Sequence, residues 1–159
     1  MFNVLYAQTK RFRDENNFQM MPNAFDSPIY HKYIMSRLES AMIDSNRKYH
    51  NLIVSSGSGV TISALAKRFF ELGGKNIFTI CVSSERTVRK EVVKKLGSDQ
   101  SITIIKSEFN FNNMMPQYST PFPCNEMWDK KAWHWLEHNI SSIPKGNTLF
   151  WNLGGHYGF

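Results

Sequence analysis

The sequence predicts an α/β domain with a mainly parallel sheet and flanking helices. Three observations indicate this fold. Short runs of β-branched and apolar residues alternate with helical patterns, the helical patterns end at glycines, and a Ser/Gly loop joins the first strand to the helix behind it. Parallel strands need a crossover connection, which is usually a helix, so this alternation favours a parallel sheet over an antiparallel one.

The first half of the pattern contains a helix and a buried strand. Asp26-Ser27-Pro28 is typical of a helix start, because a capping side chain precedes a proline in the first turn. Apolar residues then recur at helical spacing: Ile29, Tyr33, Ile34, Leu38 and Met42. The run from Asn51 to Ser55 predicts a buried strand.

Two helices and two more strands follow the Ser/Gly loop. The first helix ends at Gly73-Gly74, and the second, capped by Ser83 or Ser84, ends at Gly97. Their apolar faces are formed by Ile62, Leu65, Ala66 and Phe69, and by Val88, Val92, Val93 and Leu96. The strands are predicted at Ile77–Val82 and Ile102–Ile105.

The last third of the chain predicts a loop, a helix and a strand. Ser107 to Asn125 is polar, aromatic and proline-bearing, as in long functional loops. A Trp-rich helix is expected from Glu126 to His138. The final strand runs from Thr148 to Trp151 and ends before Gly154-Gly155.

Composition indicates a single domain in a reducing compartment. We assign residues 1–20 to an N-terminal segment and 21–159 to the α/β domain. No apolar run is long enough to cross a bilayer, and the two cysteines do not suggest a disulfide framework, so we expect a cytoplasmic protein. The net charge of +6 comes from scattered pairs without an aromatic RNA-binding signature, so nucleic acid is not an expected partner.

The stretch Ile53–Thr61 predicts an anion site. A strand, a tight loop and a helix N-terminus direct unpaired N–H groups and the helix dipole at one point, which suits the phosphate of a nucleotide or cofactor. A Walker A loop is excluded because no lysine is present, and a nucleophile elbow is not cleanly matched at Ser56. Three hypotheses stay open: a dinucleotide fingerprint lacking its glycine at Ile62, an ordinary strand-to-helix turn, and another phosphate cradle.

The segment His134–His138 matches the inverted zinc motif H-x-x-E-H. Two histidines four residues apart share a helix face, and Glu137 would be the base. Five residues make a weak pattern, and no acidic residue follows to supply a third ligand. The sequence therefore favours an amphipathic helix with outward histidines over a metal site.

Three sequence blocks carry a resemblance to a known family. They are Met21–Pro28, the loop Ser56-Gly57-Ser58-Gly59-Val60-Thr61, and the strand end Leu149–Gly155. Two shorter segments, Gln117–Pro121 and Trp128–Ala132, lie between them. In this order they resemble the C-terminal half of the pyridoxal 5′-phosphate (PLP) enzymes of fold type II, the tryptophan synthase β-like fold. The branch that they resemble is that of D-cysteine desulfhydrase and 1-aminocyclopropane-1-carboxylate (ACC) deaminase.

The resemblance implies a cofactor and a set of site residues. The residues that would hold the phosphate of PLP are Gly57, Ser58, Gly59, Val60 and Thr61. Asp129 would face the pyridine nitrogen, and Tyr118 would act as an acid or base near the substrate. Val60 stands where the family has glycine, so its β-branched side chain is expected to crowd the phosphate.

The resemblance also implies a missing part. The family attaches its cofactor to a lysine far upstream of the phosphate loop, and no residue of this chain matches that lysine. We therefore predict a PLP-binding protein, lyase- or deaminase-like on a small amino acid if a Lys-bearing segment, a second chain or a homo-oligomer completes the site. The alternatives are a catalytically inactive homologue that acts as a binding module, and a small nucleotide-binding α/β domain.

Overall fold

Helices and strands alternate along the computed structural model, which describes residues 10, 11, 14–16, 26–115 and 117–153. From residue 26 onward the elements are α1 (Pro28–Asp44), β1 (Tyr49–Ser56), α2 (Val60–Glu71), β2 (Asn76–Cys81), α3 (Glu85–Leu96), β3 (Ile102–Lys106), α4 (Asp129–Asn139), a 3₁₀ turn (Ile140–Ser142) and β4 (Asn147–Trp151). The predicted boundary at residue 20, most of the block that begins at Met21, and Gly154-Gly155 lie outside the described residues.

The four described strands form one parallel sheet in the order β3-β2-β1-β4. In the centre, Ile53 of β1 lies opposite Phe78 of β2 and Phe150 of β4. The chain moves outward from β1 to β3 and then returns to the other side of β1. This reversal leaves a crevice between the carboxyl ends of β1 and β4, the place where open α/β sheets bind their ligands.

Helices cover both faces of the sheet, and the alternation along β1 decides which core each side chain joins. Leu52 and Val54 pack with α1, α2 and α3, whereas Ile53 packs with Ala132 and Leu136 of α4. Since successive strand residues point to opposite faces, Ser55 lies on the α4 side, where its hydroxyl contacts α4. The predicted α/β fold with flanking helices is confirmed.

Two helix ends follow the predicted capping residues, whereas Ser84 stands at the N-cap of α3 without a side-chain capping bond. Ser27 accepts a hydrogen bond from the N–H of Tyr30 at 3.2 Å, with Pro28 in the first turn. At the C-terminal end of α3, Gly97 has φ +79° and donates its N–H to the Val93 carbonyl at 2.8 Å. Such left-handed helix ends favour glycine.

The predicted apolar faces of α1 and α3 were partly wrong. Ile34, Leu38 and Met42 are buried, but Ile29 is 82% and Tyr33 60% exposed. Ile29 precedes Leu38 by two and a half helical turns, so these two side chains point in opposite directions (about 3.6 residues per turn). On α3, Val93 is likewise 41% exposed.

The described residues between β3 and α4 form turns without a helix or strand, which confirms the long loop. It is longer than predicted, because α4 begins at Asp129 rather than Glu126. The side chain of Asn125 accepts the N–H of Met127 at 2.9 Å. The N–H of Lys130 donates to the Asn125 carbonyl at 3.0 Å, five residues back instead of the four of an α-helix, so regular helical bonding starts only after this turn. Among the described residues, no helix has the length and apolarity needed to cross a membrane.

We expect Gly59→Ala to destabilise the fold more than Gly97→Ala. Both glycines have positive φ, but a Cβ at Gly59 would lie 3.0 Å from the Val88 carbonyl oxygen, whereas the space at Gly97 is open. The expected loss in free energy of unfolding is about 2–5 kcal/mol for Gly59→Ala and about 1–2 kcal/mol for Gly97→Ala. Urea denaturation followed by circular dichroism measures both, and equal losses would contradict the close packing at Gly59.

Candidate functional site

A cavity of 330 Å³ opens at the carboxyl ends of β1 and β4. The end of β1 and the loop behind it line the cavity with Ser55 to Gly59, and α2 contributes Thr61. Tyr30 of α1, Trp128 before α4, and Leu153 after β4 complete the lining. The cavity therefore lies in the crevice created by the reversal of the strand order.

The β1–α2 loop has the geometry of an anion cradle. Gly59, with φ +93°, turns the chain into α2, and its carbonyl accepts both the N–H and the hydroxyl of Ser63 at 3.0 and 2.8 Å. The first N–H groups of α2 have no acceptor inside the helix, and the positive end of the helix dipole adds to them. Such an end attracts phosphate or carboxylate groups.

Two residues that directly follow β2 hold the loop in this shape. Ser83, after β2, donates its hydroxyl proton to the Gly57 carbonyl, and the N–H of Val82 donates to the Ser56 carbonyl at 3.0 Å. The Ser58 hydroxyl lies 3.4 Å from the N–H of Val60. The loop is thus preorganised by protein contacts on its β2 side.

Trp128 packs directly against the loop. A Cβ added at Gly57 would lie 2.5 Å from two ring carbons of Trp128, so this position accepts only glycine while the indole stays in place. The ring of Phe111 also packs on the indole, edge to face with a centroid distance of 5.1 Å. Trp128 is therefore a fixed aromatic wall of the cavity.

Tyr30 is a cavity residue that the sequence did not indicate. Its hydroxyl lies 2.9 Å from the Thr61 hydroxyl oxygen, and either group could be the donor. The two residues are 31 positions apart on different helices, and only the packing of α1 against α2 brings them together. No local sequence signal could have revealed this pair.

The expectation that Val60 crowds the phosphate was wrong. The Val60 side chain is 4% exposed and does not line the cavity. Because Val60 is the first residue of α2, its side chain turns into the interior while its N–H stays at the helix N-terminus. A β-branched residue is compatible with the cradle for this reason.

Asp129 is fully buried beside the cavity and joins three elements. It is the first residue of α4; one carboxylate oxygen accepts the Ser55 hydroxyl at 2.8 Å, and the other accepts the N–H of Leu153 at 2.9 Å. A negative charge at a helix N-terminus is also favourable. The structure thus places Asp129 behind the lining residues Ser55 and Leu153 and not in the cavity lining itself. Its role toward a pyridine nitrogen stays a prediction.

Tyr118 lies away from this crevice. Its hydroxyl donates to the Glu137 carboxylate, eight residues and so about 12 Å along α4 from Asp129. Burial, and then the bond to Glu137, raises the pKa of Tyr118 to about 12, and the same bond holds the pKa of Glu137 below its ordinary value. The structure does not place Tyr118 with the loop residues, and its assignment as an acid or base stays a prediction.

The two histidines of the H-x-x-E-H segment stack on one another on α4. The ring centroids are 4.2 Å apart, and Nδ1 of His138 is 2.8 Å from the His134 carbonyl oxygen. His134 also packs against the rings of Phe109 and Tyr118. In the described part of the chain, no three metal-ligating side chains come together.

Comparisons with known proteins agree with this architecture. No protein-family model matches the chain. A curated relative, a glycyl-dTMP PLP-dependent decarboxylase of Pseudomonas phage M6, is 28% identical over 167 residues, covering 95% of this chain and 58% of the relative. A crystal structure of an ACC deaminase homologue matches with a TM-score of 0.71 at 16% identity, covering 98% of this chain and 55% of that chain.

The chain thus spans a little more than half the length of both proteins. At 16% identity the likeness to the solved structure concerns the fold alone. The resemblance to fold-type-II enzymes that the three sequence blocks predicted is confirmed, and its partial extent agrees with the coverage of both comparisons.

Asp129→Asn is expected to lower the free energy of unfolding by about 2–4 kcal/mol, because its amide NH₂ would face the Ser55 hydroxyl or the N–H of Leu153, both donors. Ser55→Ala leaves the second bond intact and should cost about 1–2 kcal/mol. Exposed Asp44→Asn is the control, with a change within about 0.5 kcal/mol. Equal stability of Asp129→Asn and Asp44→Asn in urea would refute the anchoring role.

A pH dependence follows from the raised pKa of Tyr118. Because the folded protein holds this proton more tightly than the unfolded chain, its stabilisation is complete below pH 10 and disappears as the pH rises towards about 12. Absorbance titration of tyrosinate should show a group near pH 12 that is absent in Tyr118→Phe and present in the control Tyr33→Phe. Persistence of this group in Tyr118→Phe would show that another residue produces it.

Proposed function

We propose that this chain is the phosphate-loop part of a PLP-dependent lyase that acts on an amino-acid group. The observation that carries the proposal is the cavity at the N-terminus of α2, lined by Gly57, Ser58, Gly59 and Thr61. The relative's dependence on PLP indicates which phosphorylated ligand suits this cavity.

The residues present fit a phosphorylated aromatic cofactor. Two glycines keep side chains out of the loop, and both have steric reasons to be glycine. The N–H groups at the start of α2 and the hydroxyls of Ser58 and Thr61 would hold the phosphate, because hydroxyl and amide donors suit its oxygens. Trp128 offers an aromatic wall beside them.

The chemistry of a decarboxylase or deaminase would come from the cofactor, since PLP supplies an electron sink for the bonds at the amino-acid α-carbon. The contribution of this chain would be to hold the cofactor and orient its ring. We propose that Asp129 acts near the ring nitrogen as a buried negative charge, which would keep that nitrogen protonated. Ser55 and the N–H of Leu153 would keep the carboxylate in place.

Decarboxylation is the better supported of the two reactions. The phage decarboxylase shares 28% identity over nearly the whole chain, whereas the ACC deaminase homologue supports only the fold. On this basis the substrate would be an amino-acid group, free as predicted from the sequence or carried on a nucleotide as in the name of the relative. We propose that a Lys-bearing segment or partner chain completes the site, in agreement with the 58% coverage of the relative.

The nucleotide-binding alternative has less support. The strand order around the crevice suits a dinucleotide as well. However, Ile62 is fully buried at the position where that fingerprint has its third glycine. A catalytically inactive binding module keeps the same cavity, so only a functional experiment separates it from a split enzyme.

We expect the purified chain to bind PLP saturably, and Thr61→Val to bind it about 3- to 10-fold more weakly, because one hydroxyl donor is lost. Thr87→Val is the matched control, since Thr87 is an exposed residue in the first turn of α3. Difference absorbance with PLP, with inorganic phosphate as competitor, measures the affinities. Absence of saturable binding, or equal affinity of Thr61→Val and wild type, would overturn the proposed site.

A second measurement separates an enzyme from an inactive module. Borohydride treatment followed by mass spectrometry should show PLP attached to a lysine of the complementing polypeptide when that polypeptide and this chain are combined. Binding without any attachment in the combined sample would favour the inactive module.

A further inference from the structure

Lys131 is an unusual residue of α4, because its long cationic side chain is only 1% exposed. Its ammonium group donates to the carbonyl oxygens of Asn110 at 2.6 Å and Phe111 at 3.2 Å. No ion pair between Lys131 and a carboxylate occurs among the described residues. Burial lowers the pKa of Lys131, as expected where a charge has only carbonyl partners.

Burying an ammonium group costs free energy unless its partners compensate for the lost water. An apolar side chain of similar length would fill the same space without this cost. The carbonyls of Asn110 and Phe111 belong to the long loop between β3 and α4, where regular hydrogen bonding is missing. The lysine ammonium can hold two adjacent carbonyls of such a loop at once, since it has three donors.

The contacts lead from this loop to the cavity. Lys131 holds the carbonyl of Phe111. The ring of Phe111 packs edge to face on Trp128, with 5.1 Å between the ring centroids. Trp128 in turn contacts Gly57 closely enough to exclude any side chain there. The N–H of Lys131 also donates to the Trp128 carbonyl at 3.2 Å, so the backbone around Trp128 is tied to the same residue.

We infer that Lys131 is a positioning residue: it holds the Asn110-Phe111 backbone, Phe111 fixes the indole of Trp128, and the indole sets the shape of the cavity at the Gly57 loop. The neighbouring Lys130 differs in its surroundings. The Lys130 Nζ forms an ion pair with the Glu126 Oε1 at 3.6 Å, and Lys130 lines a separate cavity of 610 Å³. The inference concerns the shape of the cavity, and its reference to PLP rests on the proposed function.

The test uses the full chain labelled with 5-fluorotryptophan, whose four tryptophans give separate ¹⁹F signals. Trp128→Phe assigns the signal of Trp128. In Lys131→Met this signal should shift or broaden, because the Phe111 ring is no longer held, and Lys131→Arg should restore it by supplying donors again. Lys90→Met, at an exposed position of α3, is the control for loss of a positive charge and should leave the signal unchanged.

A second variant keeps the test decisive if Lys131→Met does not fold. Phe111→Leu leaves both carbonyl acceptors of Lys131 in place and changes a half-buried side chain, and it should move the Trp128 signal in the same way. An unchanged Trp128 signal in folded Lys131→Met or in Phe111→Leu would overturn the inference.

Ligand affinity is the second readout, and it separates the two proposals. PLP affinity should fall at least threefold in Lys131→Met and recover in Lys131→Arg. The double variant Lys131→Met/Trp128→Ala should bind PLP no more weakly than Trp128→Ala alone, because Lys131 is inferred to act on the cavity through Trp128. Independent, additive losses would overturn the positioning role. If wild type binds no PLP, the proposed function fails, while the ¹⁹F result still decides the role of Lys131.

Discussion

The arrangement of the crevice depends on the hydrogen bonds that the Asp129 carboxylate accepts. It is buried at the start of α4 and accepts hydrogen bonds from the ends of both strands that border the crevice, at Ser55 and Leu153. These contacts join α4 to β1 and β4 at the point where the strand order reverses. A buried charge is tolerated there because hydrogen bonds and the helix dipole compensate for the loss of water.

The loop beside Asp129 combines openness with rigidity. Gly57 and Gly59 let the backbone pass close to Trp128 and to α3, where a side chain at either position would collide. Rigidity comes from outside the loop, through Ser83 after β2 and through the Trp128 wall. A preorganised anion site loses little entropy when a phosphate binds. This division of roles explains why residues distant in sequence affect a loop of a few residues.

Agreement between sequence and structure is best where the signal is local. The cap at Ser27 and the left-handed glycines Gly59 and Gly97 could be predicted because each solves a local backbone problem. Errors arose where burial depends on neighbours. Ile29 was assigned to an apolar face that the helix does not bury, and Val60 was expected to crowd a cavity from which its side chain turns away. The start of α4 lies later than predicted because the N–H of Lys130 bonds to the Asn125 carbonyl five residues back, which is not the bond of an α-helix.

Three features could be predicted from the sequence alone: the succession of strands and helices along the chain, the anion loop between β1 and α2, and the resemblance to one half of fold-type-II PLP enzymes. These features depend on spacing and on local backbone chemistry, which neighbouring residues record. Only the tertiary structure decided which distant residues meet at the loop: Tyr30 with Thr61, Trp128 with Gly57, and Asp129 with Ser55. It also separated Tyr118 from the crevice by binding its hydroxyl to Glu137. Such pairings depend on how helices pack on the sheet, because side chains far apart in the chain become neighbours only when the elements that carry them pack together.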